Sequence, residues 1–160
     1  RSEPLAYELF DLNHGYNRFD APIQVLGSVD DGIFVGTTKQ IIFLQGNDVE
    51  KWKPFVVAEY GADFGTLTNI DLGAIKGETM GRGVMFSTAQ GLCLGIDSTP
   101  TQRGRFTNLT KDRLAMLPAD YGACLYRVEQ GASQYIALVK QSNNSVITGT
   151  LPSLAGSITL

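Results

Sequence analysis

Residues 32–44 read Gly-Ile-Phe-Val-Gly-Thr-Thr-Lys-Gln-Ile-Ile-Phe-Leu, and residues 83–95 read Gly-Val-Met-Phe-Ser-Thr-Ala-Gln-Gly-Leu-Cys-Leu-Gly. Laid with Gly32 over Gly83, the two stretches match as three apolar residues, a small residue, and Thr37 over Thr88. A polar step follows, and then a second apolar run opening at Ile41 and Leu92. The same order of burial and punctuation specifies the same unit, a hairpin. One strand packs in a sheet, the small residue and threonine turn the chain, and a second strand returns beside the first. The copies lie 51 residues apart, at the upper end of the roughly 40–50 residues that separate β-propeller blades.

Working outward, short apolar runs rich in Val, Ile, Phe and Tyr recur between Gly, Asn, Asp and Pro, which predicts strands. They fall at Ile23–Leu26, Ile33–Val35, Gln40–Leu44, Pro54–Ala58, Gly83–Ser87, Gly91–Gly95, Ala123–Val128 and Gln134–Lys140. Asn13-His14-Gly15 and Glu129-Gln130-Gly131 supply hairpin-like turns. Ile33-Phe34-Val35 and Ile41–Leu44 are apolar on consecutive positions, so both faces of their sheet must be covered. Blades packed between neighbours meet that requirement, and so does a β-sandwich. A third copy begins at Tyr121–Tyr126 and a partial first copy at Tyr7–Phe10 followed by Tyr16–Phe19. One short connecting helix is expected over Lys111–Leu117, capped by Thr110 and stopped by Pro118. The expected fold is therefore all-β: about three propeller-type blades in an incomplete arc, with a β-sandwich as the alternative. Residues 1–160 read as one segment with blade-like units at about 23–66, 82–117 and 121–160.

Composition agrees with short strands and tight turns. Charged residues make up 18% of the chain and there are 18 glycines in 160 residues, against roughly 25% charge and ~7% glycine in ordinary domains. A net charge of -3 supplies no footprint for nucleic acid, which needs clustered Lys and Arg. Arg103 with Arg105 comes nearest to a basic patch and reads as a solvated loop. No apolar run reaches the ~18 residues of a membrane helix, and the first 20 residues hold no signal-type apolar stretch. The chain opens on Arg1 and closes on the apolar Ser-Ile-Thr-Leu, so both ends read as cuts in a longer polypeptide.

Candidate chemistry is sparse. His14 is the one histidine and sits in an Asn-His-Gly turn without a neighbouring acid or nucleophile, so it reads as a turn residue rather than a general base. Asp30-Asp31-Gly32 fits no calcium loop, and adjacent carboxylates on extended chain point apart. Ser28–Gly32 resembles part of the Asp-box of sialidase propellers, but Val35 stands where that box has an aromatic residue. The three residues read as a turn feeding a strand. Gly61–Thr66 lacks the Gly-Lys-[Ser/Thr] ending of a phosphate loop. Asn108-Leu109-Thr110 and Asn143-Asn144-Ser145 match glycosylation sequons that matter only in a secreted eukaryotic protein. Trp52 reads as a core or inter-blade anchor. Cys93 and Cys124 each lie in an apolar run and read as buried free thiols, too few for a disulfide framework or a zinc site. No catalytic, cofactor-binding or metal-binding residue is assigned, and the chain reads as not an enzyme.

The ordered series Asp31–Thr38, Ile41–Leu44, Tyr60–Thr66, Arg82–Leu92 and Phe106–Thr110 resembles propeller-like virion proteins of tailed bacteriophages, among them tail accessory or nozzle-type components. The likeness covers roughly Ile23 to Lys140. It implies a non-catalytic structural protein of the tail or head-to-tail region that assembles with copies of itself and with other virion proteins, in virions put together in the host cytoplasm. No catalytic residues come with it. The alternative is a cellular β-propeller binding module that grips a protein or glycan through its loops.

Overall fold

A computed structural model describes residues 17–46, 51–74 and 81–111, together with the strand segments 2–3, 6–10, 119–129, 132–141 and 157–159. The chain is all-β, and its sheets are antiparallel throughout. Strands β1 (Ser2–Glu3) and β2 (Ala6–Phe10) pair as a small ribbon. The first large sheet is a four-stranded meander, β3 (Ile23–Val29), β4 (Gly32–Thr37), β5 (Ile41–Gln45) and β6 (Lys53–Ala58), in chain order. The second repeats that plan with β7 (Thr68–Asp71), β8 (Arg82–Thr88), β9 (Gly91–Ile96) and β10 (Arg105–Asn108). The third sheet is built on the long hairpin β11 (Ala119–Glu129) and β12 (Ala132–Gln141), with β13 (Ser157–Thr159) at its edge. Meanders stacked in this way are compatible with an arc of blades and with a layered sandwich.

The repeat predicted from sequence is present in register. Gly36 pairs with Ile41, Val35 with Ile42 and Phe34 with Phe43 in the first sheet. Ser87 pairs with Leu92, Phe86 with Cys93 and Met85 with Leu94 in the second, each partner displaced by the same 51 residues. The turn chemistry matches too. The Thr37 hydroxyl donates to the Gln40 carbonyl at 2.9 Å and accepts from the Lys39 amide at 3.2 Å. The Thr88 hydroxyl donates to the Gly91 carbonyl at 2.9 Å and accepts from the Gln90 amide at 3.2 Å. Both threonine side chains are fully buried, and removing either hydroxyl takes the acceptor from turn amides, those of Lys39 and Gln40 in one hairpin and of Gln90 in the other. Thr37→Val and Thr88→Val are each expected to cost about 0.5–1.5 kcal/mol, read as a shift of the urea unfolding midpoint.

Packing gives the stack a direction. Phe34, Ile41 and Phe43 of the first sheet meet Val84, Phe86 and Cys93 of the second in one core. The second sheet turns Met85, Leu92 and Leu94, the repeat-equivalents of that first trio, away from the first sheet and onto Tyr135 and Ala137 of the third. Each sheet thus uses the same set of positions to face the next one. The back of the first sheet buries Val35, Ile42 and Leu44 against Phe19, Ile33 and Trp52.

All eight strands expected from apolar runs are present. The second sheet, however, begins at Thr68 rather than at Arg82, because β7 pairs with β8, Asp71 opposite Arg82. Strand β10 was also not expected. Each of these edge strands carries one large apolar residue, Ile70 or Phe106, amid polar neighbours, too little to raise an apolar run. The expected helix over 111–117 falls almost wholly outside the described residues, as do His14, Gln130, Gly131 and the Asn143–Ser145 sequon.

Candidate functional site

The densest polar arrangement is the connection between the first two sheets, Tyr60–Thr66. Apart from the two aromatics Tyr60 and Phe64 its residues are small or polar, and its backbone groups find partners in turns and neighbouring sheets. The Ala62 amide donates to the Thr37 carbonyl of the first sheet at 2.9 Å, and the Asp63 amide to the Ser87 carbonyl of the second at 3.0 Å. Asp63 accepts the Ser87 hydroxyl through Oδ2 at 2.8 Å. The Thr66 hydroxyl accepts the Ser87 amide at 3.1 Å and donates to the Asp63 carbonyl at 2.8 Å.

The third sheet joins the same segment. The Gly122 amide donates to the Phe64 carbonyl at 2.6 Å, and the Tyr135 hydroxyl to the Thr66 carbonyl at 2.6 Å. Gly65 between them has φ +77, and a Cβ there would lie 2.1 Å from the Gly122 carbonyl oxygen. Glycine is needed at this point for both reasons. Asp63, Thr66 and Ser87 are all buried. The arrangement fastens three sheets together, with the Ser87 side chain fully buried.

A second polar cluster ties the far ends of the same two sheets. Asp97 Oδ1 accepts the amides of Asp30 and Asp31 at 2.8 and 3.2 Å, and Asp31 Oδ2 accepts the Ser98 amide at 3.1 Å. Asp30-Asp31 is the two-residue turn between β3 and β4, Val29 opposite Gly32, as expected. Burial raises the Asp97 carboxyl above the usual range, and the nearby Asp31 and Asp30 charges add to the rise, while the two backbone bonds pull it down. Asp31 Oδ1 is buried without a hydrogen-bond partner. Among the described residues no group of three His, Cys, Asp or Glu side chains is placed to hold a metal ion.

The remaining sequence candidates are structural in their contacts. Arg103 lies over the Phe55 ring, 5.6 Å from its centroid, and donates to Gln45 Oε1. Arg105 is in β10 and half-buried rather than in a solvated loop. Trp52 packs behind the first sheet and donates its indole N–H to the Gly46 carbonyl at 2.8 Å. The Asn108 amide is committed to the Gln90 carbonyl and the Thr110 amide. Both cysteines are free, Cys93 buried and Cys124 only half-buried, a departure from the expected full burial of both. Cys124 stands on the third sheet and packs at the margin of the core shared with the second. Burial pushes both thiols up from their ordinary range, so neither is activated as a nucleophile. A thiol count on unfolded protein is expected to return two groups per chain, and a count near zero would overturn the free-thiol assignment.

A shallow cleft of about 470 Å³ is lined by Ser28, Asn69, Ile70, Asp71, Gly81 and Arg82. The Asp71 carboxylate there already accepts the Gly73 amide at 2.9 Å. No protein family matches the sequence, and neither a curated protein nor a solved structure does.

In sequence, Tyr60–Thr66 shows only a likeness to a family motif and the lack of a phosphate-loop ending. Its fastening role depends on partners more than 20 residues away, for which no local pattern exists.

Proposed function

We propose that this chain is a non-catalytic structural component of a tailed-phage virion, in the tail or head-to-tail region, that works through subunit assembly. The observation that supports this reading is the outward face of the third sheet. There Leu125 and Leu138 are 56% and 57% exposed, with Ile136 opposite Leu125 and Ala123 opposite Leu138 in register. Strand residues of this kind are buried in the two earlier interfaces, and contiguous apolar faces are seldom left on isolated soluble proteins. The ordered motifs shared with propeller-like virion proteins point the same way, and so does the use of Asp63, Ser87 and Thr66 for fastening. Partners on this reading are copies of the chain and other virion proteins.

Sedimentation at micromolar concentration tests it. Residues 1–160 are expected to form concentration-dependent oligomers or to aggregate, and Leu125→Glu combined with Leu138→Glu is expected to return most of the protein to monomer. A wild-type chain that stays a stable monomer would remove the physical support for assembly and favour the binding-module reading.

A further inference from the structure

We infer that copies of this chain join head to tail, the outward face of the third sheet of one copy seated on the back of the first sheet of the next. This rests on the assembly reading and names the two surfaces that meet.

The hairpin repeat carries the inference. Ile33, Val35 and Ile42, on the back of the first sheet, stand 51 residues before Val84, Phe86 and Cys93 and are their repeat-equivalents. In the second sheet those three are fully buried and form the face that receives Phe34, Ile41 and Phe43 of the sheet before it. The back of the first sheet is therefore built as a receiving face. Among the described residues its cover is Phe19 and Trp52, two half-buried aromatics that lie outside the strands.

The margins of that face are open. Leu26 stands opposite Val35, Val35 opposite Ile42 and Ile42 opposite Val56, so the four make one apolar row across the sheet. The inner pair is buried, while Leu26 is 61% and Val56 55% exposed. The second sheet, which has a predecessor, draws its flanking Leu67 and Phe106 into the shared core.

The other end of the stack presents the complementary surface. Side chains alternate along a strand, so Leu125 and Leu138, with Ile136 and Ala123 opposite them, point away from the side on which Tyr135 and Ala137 meet the second sheet. Each chain thus carries one open forward face and one receiving face with open margins. A single head-to-tail contact covers both, whereas pairing of two third sheets would leave the Leu26 and Val56 row bare. Such a contact is heterologous and gives a ring where its rotation closes and a filament where it does not.

Complementation between variants, read by sedimentation, tests the contact. The forward-face variant is Leu125→Glu with Leu138→Glu, and the receiving-face variant is Leu26→Glu with Val56→Glu, all at positions more than half exposed. Each variant alone is expected to self-associate at least tenfold more weakly than wild type. Their equimolar mixture is expected to form dimers that grow no further, because each variant keeps the surface the other has lost. Emission of Trp52, the one tryptophan, needs no variant and is expected to move to shorter wavelength as the wild type assembles. A receiving-face variant that assembles as wild type does, a mixture of the folded variants that stays monomeric, or Trp52 emission that is constant through wild-type assembly would each overturn the head-to-tail contact and leave the assembly reading standing. A wild type that is monomeric throughout would remove both.

Discussion

Phe34→Ala is expected to destabilise the chain by about 3–5 kcal/mol, the range for truncating a buried aromatic in a core. Phe34 has no exposed surface. Its ring lies 4.8 Å from that of Phe43 and 6.2 Å from that of Phe106, so it joins strands of both sheets. Gly95 of the second sheet lies beneath it, where a Cβ would come within 2.9 Å of the ring. At Gly95 the second sheet therefore approaches this aromatic through its backbone. Phe43→Ala should fall in the same range. Urea unfolding checks both: a loss under about 1 kcal/mol, well below the range for such a truncation, would mean that the two sheets do not share this core.

Asp63→Ala is the second large effect, at about 2–3 kcal/mol from the unmet hydrogen-bonding groups alone. The substitution strips this acceptor from the Ser87 hydroxyl, which is fully buried. It also loosens the turn in which Thr66 bridges the Asp63 carbonyl and the Ser87 amide. Ser87→Ala removes the other half of the same bond. The pair should therefore couple in a double-mutant cycle, with the double variant losing less than the two single losses together. Strict additivity would show that the bond is not formed in the folded protein.

The difference between what was legible in the sequence and what was not follows from where each signal is stored. Strands such as Ile41–Gln45 and Gly91–Ile96 are buried on both faces, so their own residues declare them. The hairpin repeat was legible because Thr37 and Thr88 act within their own turns, on partners two or three residues away. Edge strands β7 and β10 pair on one side only and need little apolar content, so they merge with loop sequence. The polar clusters are less legible still. Asp31 meets Ser98 across 67 residues, and Thr66 meets Tyr135 across 69. No window of sequence contains both members of either pair. Cys124 shows the same limit: its apolar neighbours in sequence gave no sign that it would be only half-buried.

The shared direction of packing also bears on how such a chain can change its length. Phe34, Ile41 and Phe43 address the second sheet from the positions that Met85, Leu92 and Leu94 use to address the third. Each layer meets only its two neighbours, so a tandem duplication of one unit would leave the existing interfaces in place and create one new one, between that unit's own two faces, as the only contact still to be fitted.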